Sequence, residues 1–222
     1  MAHIGLIGGI GVAATVVYYQ RLTAAVEQLG GKLDLTIVHA DVHELIRNNN
    51  ADNRTAQAGS YARLIDRLKA AGCDFAAITS LGGHFCFDET VELSSLPLVS
   101  AVTPLDAHFQ RLNMRRVGLL GTRVVMQTKL YGQLKLTEAV APADPVEVGQ
   151  AYQDMAVAGH CSADQSAYFI DQGRRLIEDH GAEAIILAGT DLNLAFDGRS
   201  AGYPVIDALD VHVAELAKIA VT

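Results

Sequence analysis

The stretch AHIGLIGG (residues 2–9) and its later counterpart RRVGLLGT (residues 115–122) decide the fold. Each is a short run of mostly apolar residues that leads into a glycine, which is typical of a buried strand that ends in a turn. The first leads into GVAATVVYYQRLTAAVEQLG (residues 11–30), which predicts a helix closed by Gly30 and Gly31. A strand that passes through a glycine turn into a helix begins a βαβ unit, and such units build parallel sheets.

The same alternation continues along the chain. LDLTIVHAD (residues 33–41) and CDFAAITS (residues 73–80) are predicted strands, and a helix over residues 54–72 separates them. PLVSAV (residues 97–102) is a short fourth strand. The first half of the chain therefore contains a complete set of strands for one small parallel sheet.

The pattern then starts again in the second half. AEAIILAGTDL (residues 182–192) resembles CDFAAITSLGG (residues 73–83) and falls at the corresponding place in the order. A pattern repeated in order predicts two similar units. We predict an α/β fold of two pseudo-symmetric domains, each a parallel sheet flanked by helices, with the site in the cleft between them. The predicted N-terminal domain comprises residues 1–100 plus 207–222, and the predicted C-terminal domain comprises residues 101–206.

Charge and composition argue against several classes of partner. Of the 222 residues, 50% are hydrophobic and 19% are charged, and the formal net charge is −8. This balance argues against nucleic acid and anionic membranes as partners. No apolar run approaches the roughly 20 residues that span a bilayer, and the N-terminus lacks a signal-peptide pattern. Three cysteines without metal-type spacing favour a reducing compartment. We expect a cytoplasmic protein without a metal site.

The glycine loop GGIGVAA (residues 8–14) admits more than one function. Its amides, together with the N-terminus of the following helix, would attract an anion. A dinucleotide role would need an acidic residue about 20 positions later, but the first one at the end of the second strand is Asp41, which comes late. Gly9 is therefore a candidate for binding a substrate carboxylate, and the alternative is that the glycines only permit a tight turn.

Several stretches together resemble the aspartate/glutamate racemase superfamily, and its aspartate-racemase-like branch in particular. They fall at ordered positions along nearly the whole chain: IGLIGGIGVAATVVYYQRL (4–22), DNRTAQA (52–58), GLLGTRVVMQTKLYGQLK (118–135), ILAGTDLNL (186–194) and PVIDALDVHVAELA (204–217). The resemblance implies two pseudo-symmetric α/β domains, no cofactor, a homodimer, and a small carboxylate or amino acid as substrate. Family racemases use two cysteines, one per domain, on opposite faces of the substrate α-carbon.

Both cysteine positions are changed in this chain. The family motif C-N-T-A-H reads Ser80-Leu81-Gly82-Gly83-His84 here, and the motif G-C-T-E reads Ala188-Gly189-Thr190-Asp191. An alkoxide forms far less readily than a thiolate unless a base lies beside the serine, and glycine carries no proton to transfer. The resemblance therefore implies racemase-like proton transfer, or a related isomerisation or lyase reaction, with Ser80, His84 and Asp191 as the catalytic candidates.

The remaining candidates would bind the substrate. Arg54 matches the family arginine that holds a carboxylate, which suits a guanidinium fork, whereas a surface salt bridge is the alternative. Asn53 could support Arg54 or cap the helix that follows. Thr122 and Thr190 match family threonines at the strand ends. The predicted binding set is Gly9, Asn53, Arg54, Thr122, Gly189 and Thr190.

Two further functions remain open at this point. If a helix begins in the turn after Ser80, His84 would face it four positions later, and the pair could act as a hydrolase with Asp191 or Asp88 as the orienting acid. The usual nucleophile motif G-x-S-x-G is absent, however. The other possibility is a catalytically silent carboxylate-binding protein that keeps Arg54.

Overall fold

The computed structural model describes residues 1–222 and divides them into two compact units. Unit 1 comprises Met1–Ala101 together with His212–Thr222, and unit 2 comprises Val102–Val211. Each unit contains one four-stranded sheet with all strands parallel. The predicted α/β fold of two similar parallel sheets flanked by helices is confirmed.

The sheet of unit 1 has the order β2-β1-β3-β4. Its strands are β1 (His3–Gly8), β2 (Asp34–His39), β3 (Phe75–Ile78) and β4 (Leu98–Val99). Ile4 pairs with Leu35 on one side and with Phe75 on the other, which places β1 in the centre. Apolar side chains fill both faces of the central strands, as is usual for parallel sheets covered by helices.

Capping residues and glycine turns determine where helices of unit 1 begin. The helices are α1 (Val12–Gln28), α2 (Val42–Asn50), α3 (Arg54–Ala70) and α4 (Phe87–Leu93), and a short 3-10 helix spans Gly82–Cys86. The side chain of Asp41 accepts a hydrogen bond from the backbone N–H of His43 at the start of α2, which is a typical N-cap. The glycine turn before α1 requires a positive φ at Gly9 (84°) and Gly11 (112°).

Unit 2 repeats the topology, with the order β6-β5-β7-β8. Its strands are β5 (Arg116–Gly121), β6 (Glu138–Val140), β7 (Ala184–Ala188) and β8 (Val205–Asp207). Its helices are α5 (Leu105–Arg111), α6 (Arg123–Gln127), α7 (Pro145–Ala158), α8 (Ala163–Glu178) and α9 (Asn193–Phe196), with 3-10 helices at Leu130–Gly132 and Thr190–Leu192. The last helix, α10 (Ala208–Val221), runs from unit 2 into unit 1 along the chain.

Some elements differ from the sequence-based expectation in length. The predicted strand over residues 73–80 is formed only at Phe75–Ile78, because the chain turns towards the 3-10 helix after it. The predicted strand over residues 33–41 ends at His39, since Asp41 already caps α2. None of the helices has both the length and the apolar composition needed to cross a membrane.

Candidate functional site

Ser80 lies directly after β3, where the chain turns into the 3-10 helix. It is only 6% exposed, and its Oγ accepts a hydrogen bond of 3.1 Å from the backbone N–H of Gly83. Gly83 must be small, because a Cβ there would lie 2.5 Å from the hydroxyl oxygen of Tyr61. The turn therefore fixes the Ser80 oxygen as an acceptor, while its hydroxyl proton remains available as a donor.

His84 is buried and holds the same turn together. Its Nδ1 donates to the backbone carbonyl of Ser80 at 2.7 Å, and its Nε2 accepts from the backbone N–H of Ala101 at 3.0 Å. The ring also stacks on Phe87, with ring centroids 4.9 Å apart. Burial lowers the pKa of His84 to about 4, so the imidazole is neutral at physiological pH.

These contacts count against the predicted Ser80/His84 pair. Both ring nitrogens of His84 are occupied by backbone groups, so neither can accept the proton of the Ser80 hydroxyl. The expectation that the two side chains face each other is thus corrected by the turn geometry, which brings His84 to the Ser80 carbonyl. A serine hydrolase would need a base that hydrogen-bonds to its nucleophile, and His84 does not supply one.

Arg54 begins α3, and Asn53 caps that helix. The Asn53 side chain accepts from the backbone N–H of Ala56 at 3.2 Å. The Arg54 guanidinium pairs with Asp52 at 3.0 Å and with Glu89 at 3.7 Å. Hydrogen bonding to Asp52 raises the pKa of Arg54. In this structure the guanidinium is therefore held by two carboxylates near the surface.

The Gly9 amide is also engaged within the protein. Its N–H donates to the Thr15 hydroxyl at 2.9 Å, and a Cβ at Gly9 would lie 2.5 Å from the His39 ring. This glycine is thus required by a close approach and by its positive φ. The loop amide that the sequence offers to a substrate carboxylate already has a hydrogen-bond partner.

In unit 2, the 3-10 helix after β7 carries a buried carboxylate. Asp191 is 1% exposed, and its Oδ2 accepts a hydrogen bond of 3.2 Å from the hydroxyl of Tyr152 on α7. Burial, reinforced by the nearby Asp191 charge, raises the pKa of Tyr152 well above its ordinary value. Tyr152 therefore stays protonated and remains a hydrogen-bond donor to Asp191 at any physiological pH.

Gly189 lies against the same tyrosine. A Cβ at Gly189 would lie 2.4 Å from Tyr152 Cε2 and 2.7 Å from Cζ, distances that no real side chain adopts without a shift of its neighbours. The tyrosine ring thus fills the space that a side chain at position 189 would need. Unit 2 brings Gly189, Thr190 and Asp191 together at the end of β7, and all three lie beside Tyr152.

The other polar residues at the strand ends of unit 2 have more ordinary contacts. Thr190 is buried, and its side chain hydrogen-bonds with Tyr152. Thr122 caps α6 by accepting from the backbone N–H of Val125 at 3.4 Å, so it shapes the turn after β5. Asn193 is 5% exposed, and its Oδ1 is buried without a hydrogen-bond partner.

The three cysteines do not provide an activated thiol. Burial raises the pKa of Cys86 to about 11, and burial also raises the pKa of Cys73 and Cys161. A thiolate is the reactive form of cysteine, so these environments disfavour it. The structure contains no group of three or more His, Cys, Asp or Glu residues arranged to hold a metal ion.

Sequence reasoning missed Tyr152 as a member of this group. The residue lies in the middle of α7, 39 positions before Asp191, and nothing local in AYQDMAVAG (residues 151–159) distinguishes it from a packing residue. Only the packing of α7 against the turn after β7 reveals the contact. The contact between an aromatic ring and the glycine at the end of a strand can be recognised only in the tertiary structure.

Comparisons with known proteins agree with this architecture. A family model described as Asp/Glu/Hydantoin racemase matches residues 7–216. Similar solved structures include a candidate Asp/Glu racemase from Yersinia pestis, with 24% identity, 100% of both chains covered and a TM-score of 0.81. An aspartate racemase homologue from Pyrococcus horikoshii has 23% identity, 99% coverage of both chains and a TM-score of 0.78. The aspartate racemase of Picrophilus torridus has 21% identity, covers 98% of this chain and 94% of its own, and has a TM-score of 0.77.

Proposed function

This chain belongs to the Asp/Glu/hydantoin racemase family, and we propose that it is a cofactor-independent enzyme that moves the α-proton of a small amino carboxylate. The family and the fold support a racemase-like function on amino acids. The observation that carries the finer proposal is the buried carboxylate of Asp191, held by the Tyr152 hydroxyl at the end of β7. In our proposal Asp191 is the group that carries the proton.

The chemistry needs both a base and a way to stabilise charge. When the α-C–H bond breaks, the proton passes to the Asp191 carboxylate and the electron pair moves into the substrate carboxylate as an enediolate. Such an intermediate needs hydrogen-bond donors that are already in place. Reprotonation of this carbanion gives an exchanged or racemised amino acid, and loss of a β-leaving group from it gives an elimination. A decarboxylation would instead form a carbanion by loss of CO2, without removal of the α-proton.

The Tyr152 hydroxyl supports Asp191 in this scheme as a positioning residue. It donates to Oδ2, which orients the carboxylate. The tyrosine cannot itself be the base at physiological pH, since burial raises its pKa well above the ordinary value. Position 189 contributes no proton donor, because glycine has no side chain.

The test is exchange of substrate α-protons with deuterated water, followed by proton NMR over a panel of D- and L-amino acids and small dicarboxylates. We expect the wild-type protein to exchange at least one of them, and Asp191→Asn to slow that exchange by about 100-fold or more, the usual contribution of a general base. Tyr152→Phe should slow it less, because the Asp191 carboxylate itself remains in place.

A matched control is Asp164→Asn, which removes the same charge from an exposed site on α8 and should leave the exchange rate within about two-fold of wild type, as for a surface substitution. The proposal is wrong if no compound on the panel exchanges, or if Asp191→Asn exchanges as fast as the wild type.

A second candidate function, a catalytically silent carboxylate-binding protein, is favoured by a specific observation. Both ring nitrogens of His84 are hydrogen-bonded to backbone groups. The Tyr152 ring fills the space that a side chain at position 189 would need. Such a protein would be thermally stabilised by a carboxylate while showing no α-proton exchange, and Arg54→Ala would remove that stabilisation.

We also infer from the family that the protein is a homodimer and that it is cytoplasmic. Light scattering during gel filtration measures the molar mass in solution and so tests the homodimer.

A further inference from the structure

Unit 1 contains a pocket that none of the predicted site residues lines. It has a volume of about 170 Å³ and lies where the end of β2 and the start of α2 meet the side of α3. This volume is smaller than the roughly 300–1,000 Å³ typical of pockets for drug-sized ligands. The pocket is therefore suited to a small polar molecule.

One residue that lines the pocket has a hydrogen-bond donor without a protein partner. Gln57 lines the pocket and is only 2% exposed. Its Oε1 accepts from Asn48 Nδ2 at 2.9 Å, which assigns the amide orientation, and its Nε2 makes no hydrogen bond within the protein. A side-chain amide carries two N–H donors, and these have no acceptor within the protein. A ligand oxygen in the pocket would satisfy one of them.

The wall formed by α3 is positively charged. Arg63 and Arg67 are four residues apart and lie on the same face of the helix. Arg63 donates to the Ser60 hydroxyl at 2.9 Å, whereas the side chain of Arg67 makes no hydrogen bond or ion pair with the protein. The Arg67 guanidinium and the Gln57 amide are thus two unused donors, which together suit a carboxylate.

The part of the pocket formed by the end of β2 and the start of α2 is negatively charged. Asp41 and Glu44 line it, and the backbone hydrogen bond from His43 lowers the pKa of Asp41, so that carboxylate is ionised at neutral pH. Glu44 accepts from the Ser60 hydroxyl at 2.5 Å. These carboxylates would bind an ammonium group and would repel a ligand that carries only negative charge.

From this arrangement we propose that the pocket is a second binding site of this protein, and that its ligand is a small zwitterionic α-amino acid. The ligand carboxylate is bound by Arg67 and Gln57, and the ligand ammonium is bound by Asp41 and Glu44. None of the lining residues belongs to the segments after β3 or β7, so the pocket provides a place where an amino acid can bind without reacting.

The test is titration of the isotopically labelled protein with glycine, L-aspartate, D-aspartate, succinate and inorganic phosphate, followed by the backbone amide signals of Gln57 and Ser60. We expect amino acids to shift these signals at concentrations where succinate and phosphate do not. Arg67→Ala should raise the dissociation constant at least ten-fold. Asp41→Asn should do the same, and it keeps the helix cap because Asn and Asp cap equally well.

Two controls separate this site from the proposed reaction site. Lys69→Ala removes an exposed cation from the same helix outside the pocket, and Asp191→Asn changes only the proposed proton carrier; both should leave the dissociation constant within two-fold. If succinate or phosphate shifts these signals as much as the amino acids do, the proposal of a zwitterionic ligand is wrong and the pocket binds anions in general. The absence of any shift at Gln57 and Ser60, or equal weakening by Lys69→Ala, would overturn the site itself.

Discussion

The segment after β3 in unit 1 and the segment after β7 in unit 2 have the same place in the same topology. In unit 1 the turn ends in His84, whose two ring nitrogens hold backbone groups. In unit 2 the turn contains Asp191, a buried carboxylate that accepts a hydrogen bond from the Tyr152 hydroxyl. The first turn uses its ionisable side chain to hold backbone groups, whereas the second turn carries a buried carboxylate that a tyrosine hydroxyl holds.

The two turns also exclude side chains in the same manner. Gly83 lies against the Tyr61 hydroxyl, and Gly189 lies against the Tyr152 ring. In both cases a tyrosine takes up the space beside a strand-end glycine. The difference is that the Tyr152 hydroxyl also donates a hydrogen bond to Asp191, so in unit 2 the packing residue also holds a buried carboxylate.

The largest expected effect is a loss of stability at acidic pH, and it is expected to arise in unit 1. The two buried histidines, His84 and His212, are both in unit 1. Burial lowers their pKa to about 4 and about 3. Both folded pKa values lie below the unfolded pKa of about 6.5. Between pH 6.5 and the folded pKa values the unfolded chain therefore binds more protons than the folded chain, and the free energy of unfolding decreases as the pH falls through this range.

Each buried histidine should contribute a slope of up to about 1.4 kcal/mol per pH unit in that window. Urea unfolding at pH 7.5, 6 and 5 measures it, and His84→Gln should show a shallower slope than the wild type. His180→Gln, at an exposed position, serves as the control. An unchanged slope in His84→Gln, or earlier loss of amide protection in unit 2 than in unit 1, would contradict the assignment.

A smaller effect tests the filled space at position 189. Gly189→Ala would place a Cβ 2.4 Å from the Tyr152 ring, and we expect it to lower the free energy of unfolding by about 1–3 kcal/mol, as overpacking does. Gly59→Ala is the matched control, because its Cβ would have its nearest neighbour 3.9 Å away and alanine is the better helix former. It should be neutral or slightly stabilising.

The same prediction can be sharpened with a second substitution. If the Tyr152 ring is the obstacle, Gly189→Ala should be less harmful in a Tyr152→Ala background than in the wild type, and thermal unfolding of the four proteins in this cycle measures the coupling. Additive effects of the two substitutions would show that the ring does not set the requirement for glycine.

The smallest effect concerns Ser80. Its Oγ accepts only the Gly83 N–H, so Ser80→Ala should destabilise by about 1 kcal/mol, the typical net contribution of one hydrogen bond. Ser80→Thr keeps the acceptor and should restore part of that loss if the added methyl group is accommodated. Thermal unfolding under identical conditions compares the three proteins, and a Ser80→Ala variant as stable as the wild type would show that the hydrogen bond does not stabilise the turn.

Much of the fold could be predicted from residues that are close in sequence. The strand at His3–Gly8, the helix after Gly11 and their counterparts in unit 2 follow from apolar runs bounded by glycine. The short helix α2 and the strand β6 (Glu138–Val140) were not predicted, because they are short and have no strong periodic pattern. The predicted residues after β3 and β7 do lie at the strand ends, but their hydrogen bonds could not be predicted.

The sequence by itself determined the parallel α/β architecture, the repetition of one pattern and the identity of the residues at each strand end. These follow from periodicity and turn chemistry, which act over a few residues. The tertiary structure alone decided that His84 holds backbone groups, that Tyr152 fills the space beside Gly189, and that Gln57 and Arg67 meet in a pocket. Those relations join residues that are distant in the chain, and only the packing of helices against the sheet brings them into contact.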